Sequence, residues 1–315
     1  MKVYRGVEEF SPLNYAVVTS GTFDGIHYGH QKIIERLKEV AAQCNGETVV
    51  ITYWPHPRFV LNPDNQNLKL LTTLEEKIEL LDFFEIEHLL IIPFNDSFSQ
   101  LSSKNFIENI IVRQINTKKL VIGYDHKFGK NREGSFDYLK NNAHLYGFEI
   151  EEIPAQEIDE VAVSSTKIRE ALLKGQVEIA NKFLCHPYSL KGRVVKGNQL
   201  GRKISFPTAN ILVEDSFKLV PANGIYAVRV NVRGNIYDAM LNIGNRPTID
   251  DNLHKTIEVN IFNFQEDIYD EIITISFLHY LREERKFPNL EALKTQLFRD
   301  KEMAMRVLRD DKLNF

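Results

Sequence analysis

Two histidines three residues apart, His27 and His30, close the stretch GTFDGIHYGH at residues 21–30, directly after an apolar run. Imidazoles at that spacing suit three tasks: ligating a metal, donating to phosphate oxygens, or filling a packed core. A zinc-type site needs at least a third protein ligand, and no His or Glu stands at an obvious matching spacing. Gly21, Gly25 and Gly29 instead let backbone approach a phosphate closely. A helix starting behind such a loop offers free N–H groups and positive dipole charge to an anion. A nucleotide phosphate is the reading these residue types favour.

Further stretches carry chemistry. VSSTKIREAL at 163–172 sets Ser164, Ser165 and Thr166 at a helix start with Arg169 one turn in. Hydroxyls, N–H groups and a cation there suit a triphosphate, although the same pattern also makes a plain helix cap. TYWPHPR at 52–58 holds His56 between prolines, as a ligand contact or as a rigid turn residue. VIGYDHKFGKNREG at 121–134 brings Asp125 and Asn131, suited to an acceptor or to adenosine, with an Asx turn as the plain alternative for Asp125.

A second constellation lies far downstream. GRVVKGNQLGRKISFPTAN at 192–210 is glycine-rich and basic, with Gly197 and Gly201, and ends in Thr208 and Asn210. A hydroxyl and an amide oxygen are the hard donors that Mg²⁺ accepts while keeping some of its waters. Glu258 in TIEVNIFNF is a candidate base for a hydroxyl proton. Strand alternation also allows it to face solvent, with Ile257, Val259 and Ile261 turned the other way. Arg282 and Phe287 in FLHYLREERKF are candidates for facing an aromatic ligand or its phosphate; Glu283, Glu284 and Lys286 read as solvated.

The elements that must position these groups differ between the two halves. In the first, apolar runs such as YAVVTSG, ETVVITYW, HLLIIPF, KLVIGYD and FEIEEI alternate with helical patterns such as HQKIIERLKEVAAQ, TLEEKIELLDFFEI and SSKNFIENIIVRQI. That alternation predicts an α/β domain with a doubly wound parallel sheet. Two short helices, SSTKIREALLKG and VEIANKFL, follow. From Ser189 the pattern becomes roughly six strands without intervening helices, with VRGN as a tight hairpin, and then a helical tail over 289–308. This predicts a small antiparallel six-stranded β-barrel with a C-terminal helix. The expected domains are 1–185 and 186–315.

Composition narrows the classes. The chain has 315 residues, which suggests about two domains. A formal net charge of -4 gives no global field for nucleic acid. Cys44 and Cys185 lie far apart, so neither a disulfide framework nor a zinc knuckle is expected. No apolar leader or bilayer-length run occurs, so a cytoplasmic protein working on small molecules, without membrane or nucleic acid, is expected, as a monomer or transient oligomer.

GTFDGIHYGH resembles the HxGH loop of the nucleotidyltransferase superfamily, and SSTKIR its SSTxIR stretch. TYWPHP is similar to a TFxPHP segment, with Tyr53 where Phe is usual, and GYDHKFG to a GxDFxFG loop, with His126 where Phe is usual. GRKISFPTAN resembles the GRxLGFPTAN segment of riboflavin kinase, with Ile204 and Ser205 in place of Leu and Gly. NGIYAV and LNIGNRPTI are similar to further segments of that kinase. The order of the two sets resembles the bacterial bifunctional riboflavin kinase/FAD synthetase (FMN adenylyltransferase) family. The resemblance implies ATP, riboflavin and FMN as substrates, with Mg²⁺ as MgATP held at Thr208 and Asn210. It implies Glu258, His27 and His30 as catalytic. Around the nucleotide and FMN of the first domain it implies Gly21, Phe23, Asp24, Gly25, His56, Asp125, Asn131, Ser164, Ser165, Thr166 and Arg169. Around the barrel's ligands it implies Gly197, Gly201, Arg202, Pro207, Asn223 and Arg282. The alternative left open is a riboflavin kinase whose first domain binds nucleotide with little activity.

Overall fold

The structure is a computed structural model that describes residues 1–63, 68–123, 128–130, 134, 136–153, 163–197, 206–246 and 254–312. Asp125, Asn131, Gly201 and Arg202, together with His126, Ile204 and Ser205, lie outside the described residues. The chain forms two compact units, Met1–Ser165 and Thr166–Phe315.

The first unit contains β1 (Lys2–Tyr4), β2 (Ala16–Ser20), α1 (Tyr28–Cys44), β3 (Glu47–Trp54), α2 (Pro57–Leu61), α3 (Leu74–Phe83) and β4 (His88–Pro93). Next come α4 (Ser103–Asn105), β5 (Thr117–Gly123), α5 (Phe136–Tyr146) and β6 (Glu149–Ile153). The sheet runs β1-β4-β3-β2-β5-β6 and every pairing is parallel. The chain moves outward from β2 through β3 to β4, then returns to β2's other side for β5. This reversal is the switch point at which open α/β sheets leave a crevice for ligands. Both faces are covered. Ala16, Val18, Val49 and Ile51 enter one core, and Val17 and Val50 the other. That is why β2 and β3 read as unbroken apolar runs.

Beyond the short helix α2, two features depart from the sequence reading. β1 is an additional edge strand, too short to carry a periodic signal. The expected helix over SSKNFIENIIVRQI is α-helical only in α4, where Ser102 Oγ accepts from Asn105 N at 3.2 Å, and continues as wide π turns over Phe106–Gln114. Phe106, Ile107, Ile110 and Ile111 of this segment lie in one core.

The second unit holds α6 (Ser165–Leu173, whose first residue belongs to the first unit), α7 (Val177–Leu184), β7 (Tyr188–Val195), β8 (Ala209–Leu212) and β9 (Gly224–Val232). It ends with β10 (Asn235–Arg246), β11 (His254–Ile261), β12 (Ile272–Arg282) and α8 (Leu290–Lys312). The strands close into an antiparallel barrel in the order β10-β11-β8-β7-β12-β9. β9 and β10 turn at Arg233 and Gly234, both with positive φ (51° and 84°), the twist that tight hairpins require. Val228, Leu241, Ile257, Val259, Ile275 and Phe277 are buried in the interior. On the outer face, Ala227, Met240 and Phe262 pack under Ala304 and Leu308 of α8. α7 also packs on the barrel: Asn181 Nδ2 donates to Phe277 O at 2.8 Å, and its Oδ1 accepts from Tyr188 N at 2.7 Å.

Candidate active sites

In the first unit the loop 21–27 leaves the C-terminal end of β2 and turns into α1. Three of its residues have left-handed backbone: Phe23 (φ 47°), Gly25 (φ 83°) and Ile26 (φ 41°). Only glycine adopts that region freely, so Phe23 and Ile26 are held there by their surroundings. Both side chains are buried in the α1 core. Phe23 is thus a loop anchor whose ring lies 5.0 Å from that of His30. Asp24 is also turned inward. Its carboxylate accepts from Leu71 N at 2.9 Å, Thr72 N at 3.0 Å and Thr72 Oγ1 at 3.2 Å, while Gly25 N donates to Thr72 Oγ1 at 3.2 Å. These bonds clamp the loop to the start of α3.

His27 is the N-cap of α1. Its ring stacks on that of His30, with centroids 3.8 Å apart and planes 17° from parallel. Burial, with His27 and Lys77 adding to it, holds the His30 imidazole well below its usual pKa. His30 is therefore neutral at pH 7 and has one N–H to donate. Its Nδ1 is buried and without a hydrogen-bond partner among the described residues. Ser165 Oγ donates to Asp24 O at 3.1 Å, which brings the start of the SST stretch onto the histidine loop. Ser164 is half-buried and Thr166 exposed. His56 is buried, and its Nδ1 accepts from Arg58 N at 3.2 Å, the geometry of a turn residue. Gly21 N donates to Ile51 O at 3.0 Å. Arg169 is half-buried on α6.

One buried group went unnoticed in the sequence. Lys77 on α3 is 2 % exposed, and its Nζ donates to Thr52 Oγ1 at 3.3 Å. The signal was available: Lys77 lies three residues after Leu74 and four before Leu81, on the apolar stripe of its helix.

In the second unit Glu258 stands directly opposite Asn210 on one side and Asn242 on the other. Three polar residues thus form a ladder across β8, β11 and β10. They share the outer face with Met240, the face that α8 partly covers. Ile257, Val259 and Ile261 do face the core, but Glu258 is half-buried and Thr208 Oγ1 donates to its Oε2 at 3.3 Å. Asn260 Nδ2 donates to Pro207 O at 2.6 Å and fixes the approach to β8. Gly197 lies so close to the Asn210 amide that any Cβ there would collide with it. Asn242 Oδ1, also unremarked in the sequence, is buried and without a partner among the described residues.

The donor set fits Mg²⁺. Thr208 and Asn210 supply hard oxygens, and the glycine keeps the amide's surroundings open to backbone approach. No group of three or more His, Cys, Asp or Glu suited to a metal occurs among the described residues. Arg282 ends β12. Its guanidinium forms a two-pronged pair with Asp300 of α8, at 2.9 and 2.6 Å, and lies 5.8 Å over the Phe287 ring. Asn223 immediately precedes β9.

A parallel α/β unit with a paired-histidine loop after a central strand, followed by a closed barrel with Asn210 and Glu258 on its outer face and Thr208 beside them, is the architecture of a two-part enzyme. Residues 10–167 match the FAD synthetase family and residues 184–308 the riboflavin kinase family. Proteins described as bifunctional riboflavin kinase/FMN adenylyltransferase match along nearly the whole chain. One from Buchnera aphidicola subsp. Schizaphis graminum is 37% identical over 308 residues, 96% of this chain and 98% of its own. One from Bacillus subtilis is 37% identical over 297 residues, 92% of each chain. One from Escherichia coli K12 is 34% identical over 303 residues, 95% and 96%. This chain belongs to the bifunctional riboflavin kinase/FMN adenylyltransferase family. A crystal structure from Streptococcus pneumoniae, described as a macrolide-efflux protein, superposes with a TM-score of 0.87 at 31% identity, covering 97% of this chain and 99% of that one. In the present chain no helix among the described residues is long and apolar enough to cross a membrane.

Proposed function

We infer that this chain converts riboflavin to FMN and FMN to FAD, one reaction in each half. It is a bifunctional riboflavin kinase and FMN adenylyltransferase, using ATP, riboflavin and FMN as substrates. The match to both families sets aside the kinase-only alternative. The observation that carries the kinase assignment to residues is the 3.3 Å contact between Thr208 and Glu258.

In the barrel, the riboflavin hydroxyl attacks the γ-phosphate of ATP, Glu258 accepts its proton, and the bond from the γ-phosphorus to the β–γ bridging oxygen breaks, so that FMN forms and ADP leaves. Thr208 and Asn210 are the residues to hold Mg²⁺, whose charge would neutralise the transferring phosphate when it is bound. Gly197, Pro207 and Asn223, with Gly201 and Arg202 from outside the described residues, are assigned to the phosphates and flavin. Arg282, through Asp300, braces α8 beside them.

In the α/β half, a phosphate oxygen of FMN attacks the α-phosphate of ATP. The bond to the β-phosphate breaks, releasing pyrophosphate. His27 and the neutral His30 donate to the charge that develops, as preorganised dipoles. Ser164, Ser165, Thr166 and Arg169 serve the triphosphate, and Gly21 and Gly25 allow close backbone approach. His56, Asp125 and Asn131 are assigned to FMN or adenosine. Phe23 and Asp24 shape the loop from behind. The division of labour is between residues 1–185 and 186–315, in a cytoplasmic protein free of nucleic acid and membrane. The test is a time course of the purified chain with riboflavin and MgATP, resolving flavins by chromatography. FMN appearing first and FAD second supports the reading; FMN as the sole product overturns the adenylylation step.

A further inference from the structure

Lys77 is a buried cation among the described residues of the first unit. It is 2 % exposed, on the apolar stripe between Leu74 and Leu81. Burying an ammonium is costly, and a hydrophobic residue of similar length would serve the core better. Its position closes a circuit. Lys77 Nζ donates to Thr52 Oγ1 at 3.3 Å, and Thr52 Oγ1 donates to Thr22 O at 3.3 Å, inside the histidine loop. From the loop, Asp24 reaches back to Leu71 and Thr72. There Thr73 caps α3: its Oγ1 accepts from Glu76 N at 3.2 Å, and Glu76 Oε2 accepts from Thr73 N at 2.9 Å. The circuit returns to Lys77 one turn later. β3, the loop and α3 are thereby locked to one another through one cation.

We propose that Lys77 is a positioning residue for adenylyl transfer, holding the Thr22–Gly25 loop through Thr52 and placing a fixed positive charge behind the His27–His30 pair. The proposal rests on the reading of that pair as the phosphate-facing groups. The groups that bear on the Lys77 ammonium are Asp24 from the loop, His30 (itself stacked on His27) from α1, and Thr52 and Trp54 from β3. Glu76, beside it on α3, accepts from Thr73 N through its Oε2 at 2.9 Å. Burial pushes the Lys77 ammonium down to about 8, with Asp24 opposing the shift. An anionic polyphosphate in front of the loop favours the charged form of Lys77. By linkage, the charged form then favours the polyphosphate. Nucleotide use by this half therefore weakens as pH rises through about 8.

The experiment uses the full chain with FMN supplied, so that FAD formation reports the first half alone. kcat and KM for ATP are measured from neutral to alkaline pH in the wild type, Lys77→Met and Lys77→Arg. Riboflavin phosphorylation in the same preparations reports the integrity of the other half. The expected result is a wild-type rise in the KM for ATP near pH 8. Lys77→Met should lose roughly 10-fold to 100-fold in kcat/KM at neutral pH, the scale of a misplaced catalytic group, and its profile should be flat through that range. Lys77→Arg, which stays charged, should lose the alkaline limb while retaining more activity than Lys77→Met. A wild-type KM constant through that range overturns the proposal without recourse to any variant. So does a Lys77→Met protein with wild-type kcat/KM, or a slower one that keeps the wild-type limb. The double variant His27→Ala, His30→Ala separates the layers. If it still makes FAD, the reading of the histidines fails; if it does not and Lys77→Met behaves as wild type, only the role of Lys77 fails.

Discussion

Thr208 of the loop before β8 and Glu258 of β11 meet at 3.3 Å, although fifty positions separate them in the chain. The contact joins the residue assigned to the cation with the residue assigned to the proton. Glu258→Ala should lower riboflavin phosphorylation by about 10²–10⁴-fold, as for a lost general base. FAD formation from added FMN should stay at the wild-type rate. A kinase rate near wild type would place the base elsewhere.

His27→Ala combined with His30→Ala should abolish FAD formation from FMN while riboflavin phosphorylation continues. Removing a single donor of this kind costs about 10²–10³-fold, so each single variant should already be severely slowed. FMN accumulation, read by chromatography, distinguishes this outcome from general inactivation.

Fragment boundaries should matter. α7 is tied to the barrel by Asn181, and Ala222 N donates to Leu172 O at 3.0 Å. A fragment 166–315 should therefore unfold at a higher temperature than a fragment 186–315, and should retain more riboflavin kinase activity. Equal melting temperatures would mean that the two short helices add nothing to the barrel.

His279 gives a pH signature to the second unit. Its hydrogen bond to Glu178 raises its pKa, against the opposing effect of burial, and a further bond to Asp311 at 2.9 Å adds to the rise. A folded-state pKa above the unfolded value stabilises the protein fully below the unfolded value, about 6.5. That contribution fades as pH rises through the folded value. Thermal unfolding of the barrel should occur at lower temperature on the alkaline side of this transition. His279→Gln should remove that dependence; an unchanged slope in the variant would assign it to another group.

Much of this architecture was legible. The HxGH loop lies after a central strand because alternating apolar runs fix the parallel sheet, and PTAN leads into a barrel strand because β-rich segments follow one another without helices. Asp24 and Phe23 were harder. Their residue types suggest ligand contacts, but their partners, Thr72 and the α1 core, lie far along the chain and leave no local pattern. The partner of Arg282 was hidden for the same reason, since Asp300 sits in a run rich in surface charge. Lys77 could be found only by treating a lysine on an apolar stripe as an anomaly. β1 was too short to be periodic, and the π turns after α4 share the apolar spacing of an ordinary helix.

β11 lies between β10 and β8 and alternates Ile257, Val259 and Ile261 inward with Glu258 and Asn260 outward. If this strand paired one position out of step, every side chain would exchange faces. The carboxylate would enter the barrel interior and the isoleucines would meet water. The oil of the interior therefore proofreads the placement of the base: a mispaired chain is penalised as a fold before it can act as a misaligned enzyme.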